Sequence, residues 1–188
     1  MSDVLQQAMY TFATTSDLAR ELTVFCAAWL VFVLAAAWLL AVALRRDSIS
    51  LSLLVRLVAL VMLSFLLAKV LNRVIADPRP YLVEHLTPFA PVSRDNGFPS
   101  DHTLMAAAFT ASFWWIDRRL IIPFALGMLL VMLGRLGIGA HHTLDVVGSV
   151  GIVAFVTLLV SLIPLPPQWS RPLLTPRTSR GQPSSHRA

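Results

Sequence analysis

The chain has 188 residues, 56% of them apolar and 13% charged, with a mean hydropathy of +0.72. That balance excludes an ordinary water-soluble domain of this size and leaves a small integral membrane protein. The net charge of +5 rests almost wholly on arginine, with Lys69 the one lysine, and the arginines are scattered between apolar runs, which argues against a nucleic-acid-binding face. Cys26 is alone, so neither an internal disulfide framework nor a cysteine-rich metal site is expected.

In chain order, the opening stretch has no basic region before its first apolar run, and that run exceeds a signal core, so a retained N-terminus is expected. Residues 4–16 are too few and too polar to cross a bilayer, yet Leu5, Met9 and Phe12 recur at helical spacing. They predict an amphipathic helix lying in the membrane interface. Membrane-crossing helices, each needing about 20 mostly apolar residues, are then expected at Val24–Leu44, Leu51–Leu71, Thr103–Ile116, Leu120–Gly134 and Val146–Leu165. Arg56 and Lys69 lie near the ends of the second, close enough to snorkel, and Pro123 falls in the first turn of the fourth, where proline is tolerated. The fold class is therefore all-α: an integral membrane bundle of five transmembrane helices plus an N-terminal interfacial amphipathic helix. Residues 1–165 form one membrane domain, and 166–188, rich in proline and arginine, read as a disordered basic tail. No internal repeat is present.

Five crossings put the chain ends on opposite sides. Arg45, Arg46, Arg118, Arg119 and the arginines of the tail mark one side as cytoplasmic by the positive-inside rule. The outer side then carries residues 72–102 and 134–145, where the polar chemistry is concentrated.

Three segments there supply what a phosphate ester requires. In NRVIADPRP, Arg79 sits between two prolines, and a guanidinium fork suits bidentate phosphate binding; taken alone, it fits an interfacial loop with a snorkelling arginine better than a binding site. In FPSDH, Ser100 is placed to cap a helix whose free N–H groups and dipole would attract an anion, with His102 beside it to protonate a leaving oxygen. A plain capping turn with an exposed histidine is the alternative. In GRLGIGAHHTLD, His141 and Asp145 are four apart, so a helix starting near His141 would let the carboxylate fix the imidazole tautomer and free its other nitrogen to attack phosphorus. Gly137 and Gly139 give the chain freedom to turn Arg135 onto the same phosphate. Here too, a simple cap and ion pair at a helix start is the competing explanation.

Together these segments resemble the signature of the type 2 phosphatidic acid phosphatase superfamily of membrane lipid phosphatases: Lys, six residues, Arg-Pro; then Pro-Ser-Gly-His; then Ser-Arg, five residues, His, three residues, Asp. Arg79 and Pro80 match the first motif, Pro99, Ser100 and His102 the second, and Arg135, His141 and Asp145 the third. The chain departs from the pattern at Asn72 (lysine), Asp101 (glycine) and Gly134 (serine); Lys69 or Arg73 is left to supply the missing charge. Within the superfamily, DNGFPSDHT, RPY and the short length are most similar to bacterial undecaprenyl-diphosphate phosphatases.

The resemblance implies His141 as the nucleophile forming a phosphohistidine, Asp145 as its orienter and His102 as general acid. Arg79, Arg135 and Ser100 would hold the phosphoryl oxygens, with Asn72, Asp101 and Lys69 completing the substrate site. It also implies no metal and no cofactor, a bilayer-embedded polyprenyl diphosphate as substrate partner, and an active site facing outward from a bacterial cytoplasmic membrane. His142 and His85 are read as bystanders, and Asp77, Glu84 and Asp95 as groups that shape the pocket or repel free phosphate. Other lipid phosphates (phosphatidylglycerophosphate, phosphatidic acid, lipid A) remain open as substrates, and a non-catalytic lipid-phosphate binder or transporter is the competing class; a transporter, however, places its charges near the bilayer midplane.

Overall fold

The computed structural model describes residues 3–173, and no strand occurs among them. Helix α1 is Val4–Thr14, capped by the Asp3 side chain, which accepts the Gln6 N–H. Helix α2 runs Asp17–Leu44 and contains a π-helical turn at Phe25–Trp29. It is followed by α3 (Leu51–Val74), the single-turn α4 (Pro80–Val83), α5 (Asp101–Ile116), α6 (Ile121–Gly137) and α7 (Thr143–Leu162). A short 3-10 turn, Arg118–Leu120, leads into α6.

Four of these, Asp17–Leu44, Leu51–Val74, Arg118–Gly137 and Thr143–Leu162, are long and apolar enough to cross a membrane. The expected fifth crossing differs. Helix α5 has 16 residues and, at 1.5 Å per residue, spans about 24 Å, less than a hydrocarbon core of about 30 Å. Its surroundings explain its length. It packs against α2, α3, α6 and α7 and so forms the centre of the bundle, with Leu104, Ala106, Ala107, Ala108 and Phe113 buried. A helix apolar on every side is one that its neighbours enclose. The small residues at 106–108 let those neighbours come close.

The helices run alternately up and down, so their ends collect at two poles. At one pole Arg45 pairs with Asp117, and the Arg56 guanidinium donates to the carbonyls of Val160 and Ile163. The other pole carries residues 72–102 and 134–145. Helix α1 docks there against α6: Tyr10 stacks on Phe89 at 4.9 Å, and its hydroxyl donates to the Thr87 carbonyl. Of the tail expected from residue 166, the first part is placed. Pro167–Ser170 forms a 3-10 turn, and the Leu173 N–H donates to the Ile49 carbonyl. The remainder of that tail lies outside the described residues.

Candidate active site

The third sequence segment builds the centre of the site, by a route the sequence did not suggest. Helix α7 begins at Thr143, so His141 lies before the helix and does not share a helical face with Asp145. His142 is the N-cap and Asp145 the third helical residue, whose carboxylate turns back to accept the His142 N–H at 2.9 Å. This capping arrangement satisfies a donor at the helix start and carries the same carboxylate oxygen, Oδ2, to 3.2 Å from His141 Nδ1. Both side chains are buried. The turn from α6 into this segment passes through Gly139, whose φ of +74° favours glycine.

Two guanidinium groups converge on the far side of the His141 ring. Arg79 Nη1 is 3.3 Å and Arg135 Nη2 3.2 Å from His141 Nε2. Arg79 is the N-cap of α4, with its backbone stiffened by Pro78 and Pro80. It also donates to the Ala140 carbonyl at 3.1 Å, to Ser93 Oγ at 3.1 Å and to Asp95 Oδ1 at 2.7 Å. Arg135 approaches the Ala27 carbonyl in the π-helical turn of α2 at 3.5 Å, while its Nε has no protein partner. Helix α6 comes close enough for this because residue 134 is glycine: a Cβ there would sit 2.5 Å from the Ala27 nitrogen. The departure from the motif serine therefore has a packing cause.

Arg79 and Arg135 are 7% and 8% exposed, and Asp95 is the carboxylate paired with either, on Arg79. A buried excess of positive charge is costly and suits an incoming anion. Burial, and then Arg135 and Arg79, hold the His141 imidazole well below its ordinary range. It is therefore neutral, with Nδ1–H directed to Asp145 and the Nε2 lone pair directed to the guanidinium groups. Hydrogen bonds from Ser93 and Arg79 keep the Asp95 carboxyl below its usual range, so it stays ionised on the rim.

A half-open cavity of about 960 Å³ adjoins this centre. His141, Arg79, Arg135, His102, Asp101, Asn72 and Lys69 line its polar side, and Ala28, Met62, Phe65 and Leu66 its apolar side. Ser100 occupies the N-cap position of α5 but is fully buried, with its hydroxyl accepting from Thr103 Oγ1, and it does not line the cavity. Asn72, at the motif-lysine position, donates from Nδ2 to the Phe98 carbonyl at 2.5 Å. It thereby secures the segment leading into α5. Lys69, one turn earlier, faces the cavity; Arg73 does not line it.

The sequence reading missed several contacts. Asn96 bridges the two loops, with its Nδ2 donating to the carbonyls of Asn72 and Ile75 and its Oδ1 accepting the Asp77 N–H. Its Asp-Asn-Gly setting signalled a turn but not these partners. The Ala27 carbonyl had no sequence signal at all. His142, read as a bystander, brings its Nδ1 to 2.9 Å from Asp77 Oδ1. Asp77, His142 and Asp145 each place one atom of metal-ligand type within 4.8 Å of the others. Of the two Asp145 oxygens, Oδ2 is already committed to His141 and His142.

The PAP2 superfamily model matches residues 53–169. Undecaprenyl-diphosphatase BcrC of Bacillus subtilis is 30% identical over 83 residues, covering 44% of this chain and 43% of that protein. Lipid A 1-phosphatase of Rhizobium johnstonii is 31% identical over 108 residues, 55% of this chain and 44% of that protein. The matches span less than half the length of either relative. Aquifex aeolicus LpxE, a crystal structure, superposes with a TM-score of 0.63 at 18% identity, covering 84% of this chain and 92% of that one, which speaks to the fold.

Proposed function

Starting from the fact that this chain belongs to the PAP2 superfamily, we propose that it is a metal-independent membrane lipid phosphatase whose preferred substrate is undecaprenyl diphosphate. The observation that carries this reading is the convergence of two buried guanidinium groups on Nε2 of a neutral histidine whose Nδ1 faces a carboxylate. That arrangement provides a nucleophile and a clamp for developing phosphoryl charge without a metal ion.

In the proposed reaction, the Nε2 lone pair of His141 attacks the terminal phosphorus. The bond from phosphorus to the bridging oxygen breaks, and His102 gives its proton to that oxygen as undecaprenyl phosphate departs. Asp145 stabilises the charge left on the His141 ring. Water then attacks the phosphohistidine and passes a proton to His102, releasing inorganic phosphate and restoring both histidines. Arg79 and Arg135 hold the equatorial oxygens. Ser100 serves by anchoring the start of α5, which fixes His102 and Asp101 at the cavity.

A lipid substrate is supported by the cavity wall. Met62, Phe65, Leu66, Lys69 and Asn72 follow helical spacing along one face of α3 and all line the cavity. Helices α2 and α3 are not packed against each other there, so an isoprenoid chain can lie between them with its diphosphate at the Lys69 end. Five crossings, with α5 recessed below the outer face, would put the site on the outer side of a bacterial cytoplasmic membrane and the Arg45, Arg46, Arg118 and Arg119 pole in the cytoplasm. α1 would then lie in the outer interface.

The test is phosphate release from undecaprenyl diphosphate in detergent, with phosphohistidine trapped in an alkaline detergent quench, because its phosphorus–nitrogen bond is acid-labile. His141→Ala is expected to lose at least about 10³-fold in kcat and all trapped phosphoenzyme; equal rates for wild type and variant would remove the assignment. The lipid A 1-phosphatase relative supports a second reading, dephosphorylation of lipid A. A kcat/KM for that lipid above the value for undecaprenyl diphosphate would make it the substrate.

A further inference from the structure

The Asp145 carboxylate is fully buried, and its two oxygens are used unequally. Oδ2 faces His141 Nδ1 at 3.2 Å and accepts the His142 N–H at 2.9 Å. Oδ1 is buried with no hydrogen-bond partner. A buried acceptor left without a donor is costly, and a carboxylate anchored through one oxygen is free to pivot about it. Whatever meets Oδ1 therefore helps to set the angle at which Asp145 holds the nucleophile.

We infer that Asp77 is a positioning residue for His141, acting through Asp145: its carboxyl supplies a shared hydrogen to the otherwise unmet Asp145 oxygen, and His142 braces it there. The inference rests on the proposed role of His141 as nucleophile. Four observations support it. Asp77, His142 and Asp145 each bring a polar atom within 4.8 Å of the others. The Asp77 backbone is fixed at both ends, its N–H donating to Asn96 Oδ1 and its carbonyl accepting the Gly97 N–H, each at 2.8 Å. His142 Nδ1 stands 2.9 Å from Asp77 Oδ1, so the two side chains are in contact, although not in hydrogen-bond geometry. Burial, and then the neighbouring Asp145 charge, push the Asp77 carboxyl above its usual range, so that it keeps a proton more readily than an ordinary aspartate. Two carboxyls in contact can share one proton where two bare charges would repel.

No proton leaves the pair during turnover in this scheme, and Asp77 touches neither the phosphate nor His141. Its effect is geometric: with Oδ1 held, the His141 ring keeps its Nε2 aimed at the point where Arg79 and Arg135 meet. A small error in that aim costs rate and not substrate affinity.

The discriminating pair is Asp77→Ala against Asp77→Asn, in the full-length protein purified in detergent. Asp77→Ala removes the donor and is expected to lower kcat about 30-fold with KM within about twofold of wild type, and to slow phosphohistidine formation by the same factor. Asp77→Asn restores a hydrogen-bond donor without a titrating proton and is expected to recover kcat to within about fivefold of wild type. A wild-type kcat in Asp77→Ala, or an Asn variant as slow as the Ala variant, would overturn the inference. Should Asp77→Ala fail to accumulate as folded protein, His142→Ala takes its place: loss of the brace is expected to lower kcat severalfold at unchanged KM, and an unchanged kcat counts against the inference. The two levels of the argument fail separately. An active His141→Ala without trapped phosphoenzyme defeats the catalytic reading, whereas an inactive His141→Ala beside a fully active Asp77→Ala defeats this inference alone.

Discussion

The two poles of the bundle use the same side chain in opposite ways. At the Arg45 pole the arginines find partners near the surface or face outward: Arg45 pairs with Asp117, Arg118 lies 4.2 Å over the Trp114 ring, Arg56 donates to the Val160 carbonyl at 2.6 Å, and Arg46 is exposed. At the other pole Arg79 and Arg135 are buried, only Arg79 has a carboxylate partner, Asp95 on the rim, and both meet at an uncharged imidazole. The first arrangement leaves its charges near the surface, where they serve orientation and packing. The second holds surplus positive charge in a site that an anion completes, which is what a phosphoryl-transfer centre requires.

This contrast can be broken by experiment, most sharply at the arginines themselves. Replacing Arg135 by Ala is expected to reduce kcat/KM by about 10²- to 10³-fold, the range for loss of one charge-stabilising donor. Steady-state phosphate release measures it, and a change below about fivefold would mean that the buried excess charge is structural. Next comes Gly97→Ala. An added Cβ would lie 2.9 Å from both Asp145 Oδ2 and the Asp77 carbonyl, so the loop must shift and kcat should fall about tenfold or more, with the protein still folded by size-exclusion chromatography. The smallest effect is expected at the opposite pole. Arg45→Ala removes a partly exposed ion pair worth about 1 kcal/mol or less; a thermal-unfolding midpoint within a few degrees of wild type and a kcat within about twofold would keep the two poles functionally distinct.

Parts of this organisation were legible in the residues. The apolar runs gave the helices, although their ends moved: α2 begins at Asp17 and not Val24, and α7 covers Thr143–Leu162 in place of Val146–Leu165. Hydropathy sees where charge stops, whereas helix ends are set by caps such as Ser16 and His142, which lie outside the apolar run. The three polar segments were also visible, and Arg79, His102, Arg135 and His141 do meet at one cavity. Ser100 was read correctly as the first cap position of α5, but its burial away from the cavity was not readable.

By itself the sequence determined the local chemistry of this protein: which stretches prefer lipid, which loops are stiffened by proline, and which imidazole, carboxylate and guanidinium groups are near one another along the chain. Tertiary structure alone decided that the 16-residue α5 lies at the centre, that Asn72 is spent on the Phe98 carbonyl, that the π-helical turn offers Ala27 to Arg135, and that His142 leans on Asp77. The division has a physical cause. Hydrophobic pattern and capping act within a few residues and leave a periodic trace, whereas Asn72 and Phe98 are 26 residues apart and Ala27 and Arg135 108, so their contacts exist only after packing has fixed which helices are neighbours.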